Sequence, residues 1–282
     1  MSTTLLDQFD ELPRIKGPKL RRFNDGHYKR IEYLVLLGRS NDEGQLPSGD
    51  HGYVFRVRID GELYALKIFR FFDLGEALVT LDPAGRSRVS QEDIEGQTDP
   101  FYAECRAYGR IASKPRKRPI AIACHGFISI PAKQEFFFAK RFNITEWNRP
   151  EEELSSPPAM RQPFRALVKD LVETEPEITE KLIASILREL KALNSLRIYV
   201  MDVRWSNYKG GHLVDFSSAW TEPHFEFRKD VNSEEDIRIS RHIDLAAFNK
   251  MVKEELDMDV LVRTEQNPDF IARLRSRRKR ED

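Results

Sequence analysis

Two short apolar runs that meet at Gly210-Gly211 constrain this chain more than any other stretch. From Leu196 the order is Leu-Arg-Ile-Tyr-Val-Met-Asp-Val-Arg-Trp-Ser-Asn, then Tyr-Lys-Gly-Gly-His-Leu-Val-Asp-Phe-Ser. A diglycine between apolar pairs predicts a hairpin, and a hairpin here brings Asp202, Asn207 and Asp215 together. Oxygen-bearing side chains at that density suit magnesium and a phosphoryl group. The remaining sequence can then be searched for a cation to meet the phosphate and for backbone to cover it.

A lysine inside an apolar strand supplies the cation. Ser48 to Ile59 reads as a turn carrying Gly49 and Gly52 that opens into an alternating strand; Asp60-Gly61 turns the chain and Glu62 to Phe69 returns. Glycines at such a tip leave amide groups free to approach phosphate oxygens, although a plain flexible turn has the same composition. On the returning strand, Tyr64-Ala65-Leu66-Lys67-Ile68-Phe69 places Lys67 and Ala65 on one face. A buried ammonium is costly unless an anion meets it; the alternative is an edge-strand lysine whose tip reaches water. Pro100 starts a helix on which Phe101, Glu104, Cys105, Tyr108 and Ile111 form one stripe. Glu104, on the buried stripe, asks for a cation, and Lys67 is the candidate, with Arg106 or Arg110 as local alternatives.

Around this centre the chain divides. Residues 1–30 mix Pro, Gly and charge and read as an extended lead-in. Residues 31–147 form a strand-rich lobe, with Ile31 to Gly38 as its first strand. Residues 73–100 are an excursion with room for a short helix, and Ile120 to Ile130 and Glu135 to Phe142 read as two further strands. The Pro-rich, charged residues 148–163 are the linker. Residues 164–262 turn to helical periodicity: Phe164 to Glu173, then Glu177 to Leu196 with Ile178, Leu182, Ile186, Leu190 and Leu193 on one stripe, then a helix near His242 in which Asp244 is embedded. Residues 263–282 are a basic tail ending Arg-Leu-Arg-Ser-Arg-Arg-Lys-Arg-Glu-Asp, either a nuclear or nucleic-acid patch or a solvated helix end.

Composition excludes some partners. The 46 basic residues equal the 46 acidic ones, so no overall field draws the chain to nucleic acid or a membrane, and direct nucleic-acid binding is not expected outside the tail. There is no apolar run of spanning length, and Met-Ser-Thr-Thr-Leu-Leu-Asp lacks the form of a signal peptide, so an intracellular protein is expected. Cys105 and Cys124 are too few for a disulfide framework and lack zinc spacing.

Taken in order, these segments resemble the protein kinase fold. Gly49-x-x-Gly52-x-Val54 is similar to the later part of the nucleotide loop, Tyr64-Ala65-Leu66-Lys67 to the Val-Ala-Ile-Lys strand, and Glu104 to the helix glutamate that pairs with that lysine. Asp202 to Asn207 resembles the catalytic loop, Asp215-Phe216-Ser217 the metal-binding Asp-Phe-Gly, and Asp244 the aspartate that braces the catalytic loop. The resemblance implies an α+β, two-lobe fold, with a small antiparallel sheet lobe carrying one helix and a mainly helical second lobe. It further implies ATP and Mg as cofactors. Gly49, Gly52, Val54 and Ala65 would surround the nucleotide, Lys67 would hold its α and β phosphates, and Glu104 would orient Lys67. Asn207 and Asp215 would hold the metal, Asp202 would accept the acceptor hydroxyl proton or align the nucleophile, and Arg204 would contact the transferred phosphate.

The departures from that pattern leave two functions open, an atypical phosphotransferase and a pseudokinase. Val200-Met201 stand where His-Arg is usual, Arg204 replaces a lysine, and Ser217 replaces a glycine. The loop's first glycine and an Ala-Pro-Glu are both missing. A narrower resemblance, carried by Leu12-Pro13, Gly17-Pro18-Lys19-Leu20, Phe23, Gly49 to Phe55 and Tyr64 to Phe69, is to a fungal inner-kinetochore family, the Fta-type subunits of the Sim complex. It implies a non-catalytic, kinase-like scaffold in the nucleus at the centromere, with kinetochore subunits as partners and the basic tail as a nuclear signal.

Overall fold

The turn at Asp60-Gly61 sets the register of the first half. Both residues take positive φ, 49° and 99°, as a two-residue hairpin turn requires, and Ile59 pairs with Glu62 across it. The strands it joins are β2 (Gly52–Ile59) and β3 (Glu62–Phe69). In the computed structural model, which describes residues 12–27, 30–38, 51–80 and 87–258, β1 (Ile31–Leu36) pairs with the outer side of β2. With β4 (Cys124–Ile130) and β5 (Phe164–Asp170) these make an antiparallel five-stranded sheet in the order β1-β2-β3-β5-β4.

Each face of the sheet is covered by a different helix. Helices α1 (Leu74–Thr80) and α2 (Gln91–Thr98) lead into α3 (Pro100–Ala112), whose start is capped by the Asp99 carboxylate accepting from Phe101 N at 2.9 Å. α3 packs on the face that carries Lys67, with Phe101 edge-on to Phe69 at 5.4 Å. The other face, with Phe55, Val57, Leu66, Ile68, Ala166 and Val168, is closed by aromatic rings of α4 (Gln134–Phe142) and the segment after it. Phe138 stacks on Phe55 at 5.4 Å, and Trp147 lies 4.5 Å from Phe164.

Two elements differ from the sequence expectation. Glu135 to Phe142, expected as a strand, is helix α4: Phe138 and Phe142, one turn apart, are buried while Phe136 is 76% exposed, and Asn143 ends the helix at φ 58°. Three consecutive phenylalanines had hidden that period. Phe164 to Glu173, expected as the first helix of the second lobe, contains strand β5. It lies between β3 and β4 and is buried on both faces, so its run is nearly continuous in hydrophobicity and shows no alternation. The sheet therefore continues past residues 148–163, and the crossing into the helical half falls at 171–179. Residues 148–163 are docked onto the sheet lobe: Arg149 is buried, bonds Glu135 at 3.1 Å and Glu153 at 2.6 Å, and stacks on Phe71 at 4.2 Å.

The second half is built on α5 (Glu180–Ser195), which Thr179 caps by accepting from Leu182 N at 3.2 Å. Ile183, Ile186, Leu190 and Leu193 face the core, whereas Ile178 precedes the helix and is exposed. Four two-residue strands follow: β6 (Ile198–Tyr199), β7 (Tyr208–Lys209), β8 (His212–Leu213) and β9 (Trp220–Thr221). β6 pairs with β9 and β7 with β8. Helices α6 (Glu234–Ser240) and α7 (Ile243–Lys250) complete it. Part of the lead-in is visible as a strap across α3. Leu20 is buried, and Arg106 of α3 donates to Lys16 O and Thr221 O, both at 3.0 Å, and to Pro223 O. Gly49 and the basic tail lie outside the described residues. No described helix is long and apolar enough to cross a membrane.

Candidate functional site

Strand register puts the sheet's contribution on one face. Val54 lies directly across from Lys67, Lys67 across from Leu167, and Ala65 across from Lys169, so Val54, Ala65, Lys67 and Lys169 all point toward α3 and the second half. Lys67 Nζ donates to Glu104 Oε2 at 3.0 Å and to Asp215 Oδ1 at 2.7 Å. Burial alone would lower the Lys67 pKa; the Asp215 and Glu104 carboxylates outweigh it and hold it above its usual range. Asp215 sits on the opposite side of that balance. Burial would raise its pKa, but Lys67, Lys169 and the Ser217 N–H, which donates to Oδ1 at 2.8 Å, keep it far below the carboxylate range. The pairing of Lys67 with Glu104 expected from the helix stripe is therefore present, and Arg106 and Arg110 point elsewhere, to backbone carbonyls.

The hairpin forms at Gly210-Gly211, with Tyr208 paired to Leu213 and both glycines at positive φ. Val214 N donates to Asn207 O at 2.9 Å, which places Asn207 beside the approach to Asp215. The Asn207 amide nitrogen bonds Asp202 O at 2.9 Å and Asp202 Oδ2 at 3.0 Å. Arg204 pairs with the same Asp202 oxygen at 2.9 Å. Behind this loop Asp244 is fully buried; it accepts from Val200 N at 2.8 Å, Met201 N at 2.9 Å and the Asn194 amide at 2.7 Å. Its pKa is raised by burial despite those donors. Met201 takes φ 64°, a left-handed backbone that costs a non-glycine residue about 1–3 kcal/mol, and the bond to Asp244 helps hold it there.

Gly52 has a reason to be glycine that needs no ligand. A Cβ there would lie 2.2 Å from Ile68 O on the neighbouring strand. Its neighbour His51 bonds the Ser217 hydroxyl through Nδ1 at 2.7 Å, joining the start of β2 to the Asp215-Phe216-Ser217 turn. Phe216 is buried edge-on against Tyr108 of α3 at 5.0 Å.

Sequence reasoning passed over Lys169. It lies in β5, buried, and donates to Glu104 Oε1 and to Val214 O at 2.7 Å. The signal was a lysine in an apolar run, the same signal that marked Lys67, lost because the run was read as helix. Were magnesium bound here, Asp215 and the Asn207 amide oxygen would be the side chains to hold it, with phosphates and water completing its shell. Among the described residues no group of three or more His, Cys, Asp or Glu could hold a metal by itself.

An antiparallel sheet lobe with helix α3 on the face that carries Lys67, a buried Lys67 to Glu104 pair, an aspartate to asparagine loop and an Asp-Phe-Ser turn together define a protein kinase-like fold. The family model for the kinetochore Sim4 complex subunit FTA2 matches residues 8–220, and the chain belongs to that family. No curated protein matches the sequence. Among solved structures, the Neurospora crassa PAN3 pseudokinase is 13% identical with a TM-score of 0.37 over 94% of this chain; the chain spans 56% of that structure's length, and so distant a likeness carries no functional weight.

Proposed function

We propose that this chain is a non-catalytic, kinase-like scaffold subunit of the kinetochore, acting in the nucleus at the centromere through contacts with other kinetochore subunits. Family membership supports the setting. The observation that carries the scaffold reading is the closure of the candidate site on itself. Lys67 is held by Glu104 and Asp215, Asp202 by Arg204 and Asn207, and Ser217 by His51, so its charged groups find partners within the chain.

A second reading, an ATP- and magnesium-binding phosphotransferase acting on a hydroxyl acceptor, is favoured by the joint presence of Lys67, Glu104, Asp202, Asn207 and Asp215, the residue types such chemistry needs. In it Lys67 would bind the α and β phosphates, Asp215 and Asn207 the magnesium, and Arg204 the transferred phosphate. Asp202 would take the hydroxyl proton, with Gly49, Gly52, Val54 and Ala65 around the nucleotide.

Thermal denaturation with and without Mg-ATP separates the two. The scaffold reading expects no shift, together with an Asp202→Asn chain that still concentrates at centromeres. Saturating Mg-ATP at a hundred times its Kd would instead stabilise by about 2.7 kcal/mol; loss of that gain in Lys67→Met and Asp215→Asn would support a working nucleotide pocket, and phosphate release or autophosphorylation lost on Asp202→Asn would establish turnover. A tagged chain that never concentrates at centromeres would overturn the first.

A further inference from the structure

We infer that Lys169, rather than Lys67, is the indispensable counter-ion of Glu104, and that it positions α3 on the sheet with no nucleotide present. The two lysines are not equivalent. Every partner of Lys169 is internal: Glu104 Oε1, Val214 O at 2.7 Å and the ring of Tyr108, whose centroid lies 5.4 Å from the ammonium. Lys67 divides itself between Glu104 and Asp215, and the Asp215 side chain is 30% exposed.

Removing one lysine therefore has unequal consequences. Without Lys67, Glu104 keeps Lys169, and Asp215 keeps the Ser217 N–H and its access to water. Without Lys169, Glu104 Oε1 loses its donor where water does not reach, Val214 O loses its side-chain donor, and Lys67, already shared with Asp215, is the lysine left on Glu104. Lys169 sits where three parts meet: β5, α3 and the strand that leads to Asp215. On its far side α3 is tied by Arg106 to the strap at Lys16 and to Thr221. The Glu104 helix is thereby pinned from both sides, and loss of Lys67 leaves it in place. This assignment holds whether or not the site accepts a nucleotide.

The test compares melting temperatures of the full chain. Lys67→Met is expected to lower Tm by less than about 3 °C and Lys169→Met by roughly 10 °C, with amides of residues 101–112 exchanging faster only in the second. Adding Glu104→Gln to Lys169→Met should recover at least half of that loss, since the orphaned charge is gone. A Lys67→Met loss equal to that of Lys169→Met, or no recovery in the double variant, would overturn the assignment. Should Lys169→Met alone fail to fold, the comparison moves to the Glu104→Gln background. There, losing Lys169 lowers Tm by less than about 3 °C if it acts through that carboxylate, and by roughly 10 °C if it acts through packing alone. A Mg-ATP shift in wild type bears on the scaffold reading only, so the two ideas fail separately.

Discussion

The charges around Glu104 and those around Asp202 are only a short distance apart in the chain's logic but live in different media. Glu104 is fully buried and receives two lysines; Asp202 and Arg204 have side chains 36% and 52% exposed. In the first cluster Glu104 is cut off from water, so losing the partner that nothing else replaces strands a charge. In the second, water stands in for whatever is removed. The lesson is that the kinase-like site here is two things: a buried ionic brace that holds the sheet lobe to the second half, and an open loop on which any chemistry would have to occur.

The sharpest way to break that contrast is Glu104→Ala, which takes the shared carboxylate away from two buried lysines. A loss of about 3–5 kcal/mol in denaturant unfolding is expected, and a loss below about 1 kcal/mol would show that the brace does not carry the fold. Asp244→Ala comes next. It orphans the N–H groups of Val200 and Met201 and frees Met201 from its held φ, for a loss of about 3 kcal/mol.

Acid probes a third buried group. His224 accepts from Glu226 N at 3.2 Å and faces Gln97 O at 3.3 Å, and burial together with the Arg106 charge lowers its pKa to about 3. The folded value lies below the unfolded one, about 6.5, so its neutral form is fully stabilising above that pH and the benefit is lost as the pH falls toward the folded value. Between pH 7 and pH 5 this amounts to about 2 kcal/mol, and His224→Gln should flatten that part of the stability profile. Least of all, Asp202→Asn should change stability by under about 0.5 kcal/mol. A larger loss would move the loop into the brace.

Much of the site was legible because its chemistry is expensive. A lysine in an apolar strand, a glutamate on an apolar helix stripe and an aspartate within an apolar helix each demand a partner, and Lys67, Glu104 and Asp244 have theirs. The antiparallel hairpins and the helix that carries Glu104 were legible from turns, alternation and the helix stripe, but one of the five expected strands, Glu135 to Phe142, is helix α4, and β5 takes its place in the sheet. What misled was burial on both faces. Phe164–Asp170 shows no period-two pattern because α3 covers one side and the α4 aromatics the other, so Lys169 was placed on the wrong element.

By itself, then, the sequence determined which residues could not remain alone, the turn at Asp60-Gly61, the hairpin at Gly210-Gly211 and the kinetochore subunit family. Only the tertiary structure decided who satisfies whom. His51 and Ser217 are 166 residues apart, and Lys169 and Glu104 are 65. The physical reason is that the cost of burying a charge belongs to the residue and is written in its local pattern, whereas its relief depends on which strand and helix are brought alongside, and that is settled by packing across the whole chain.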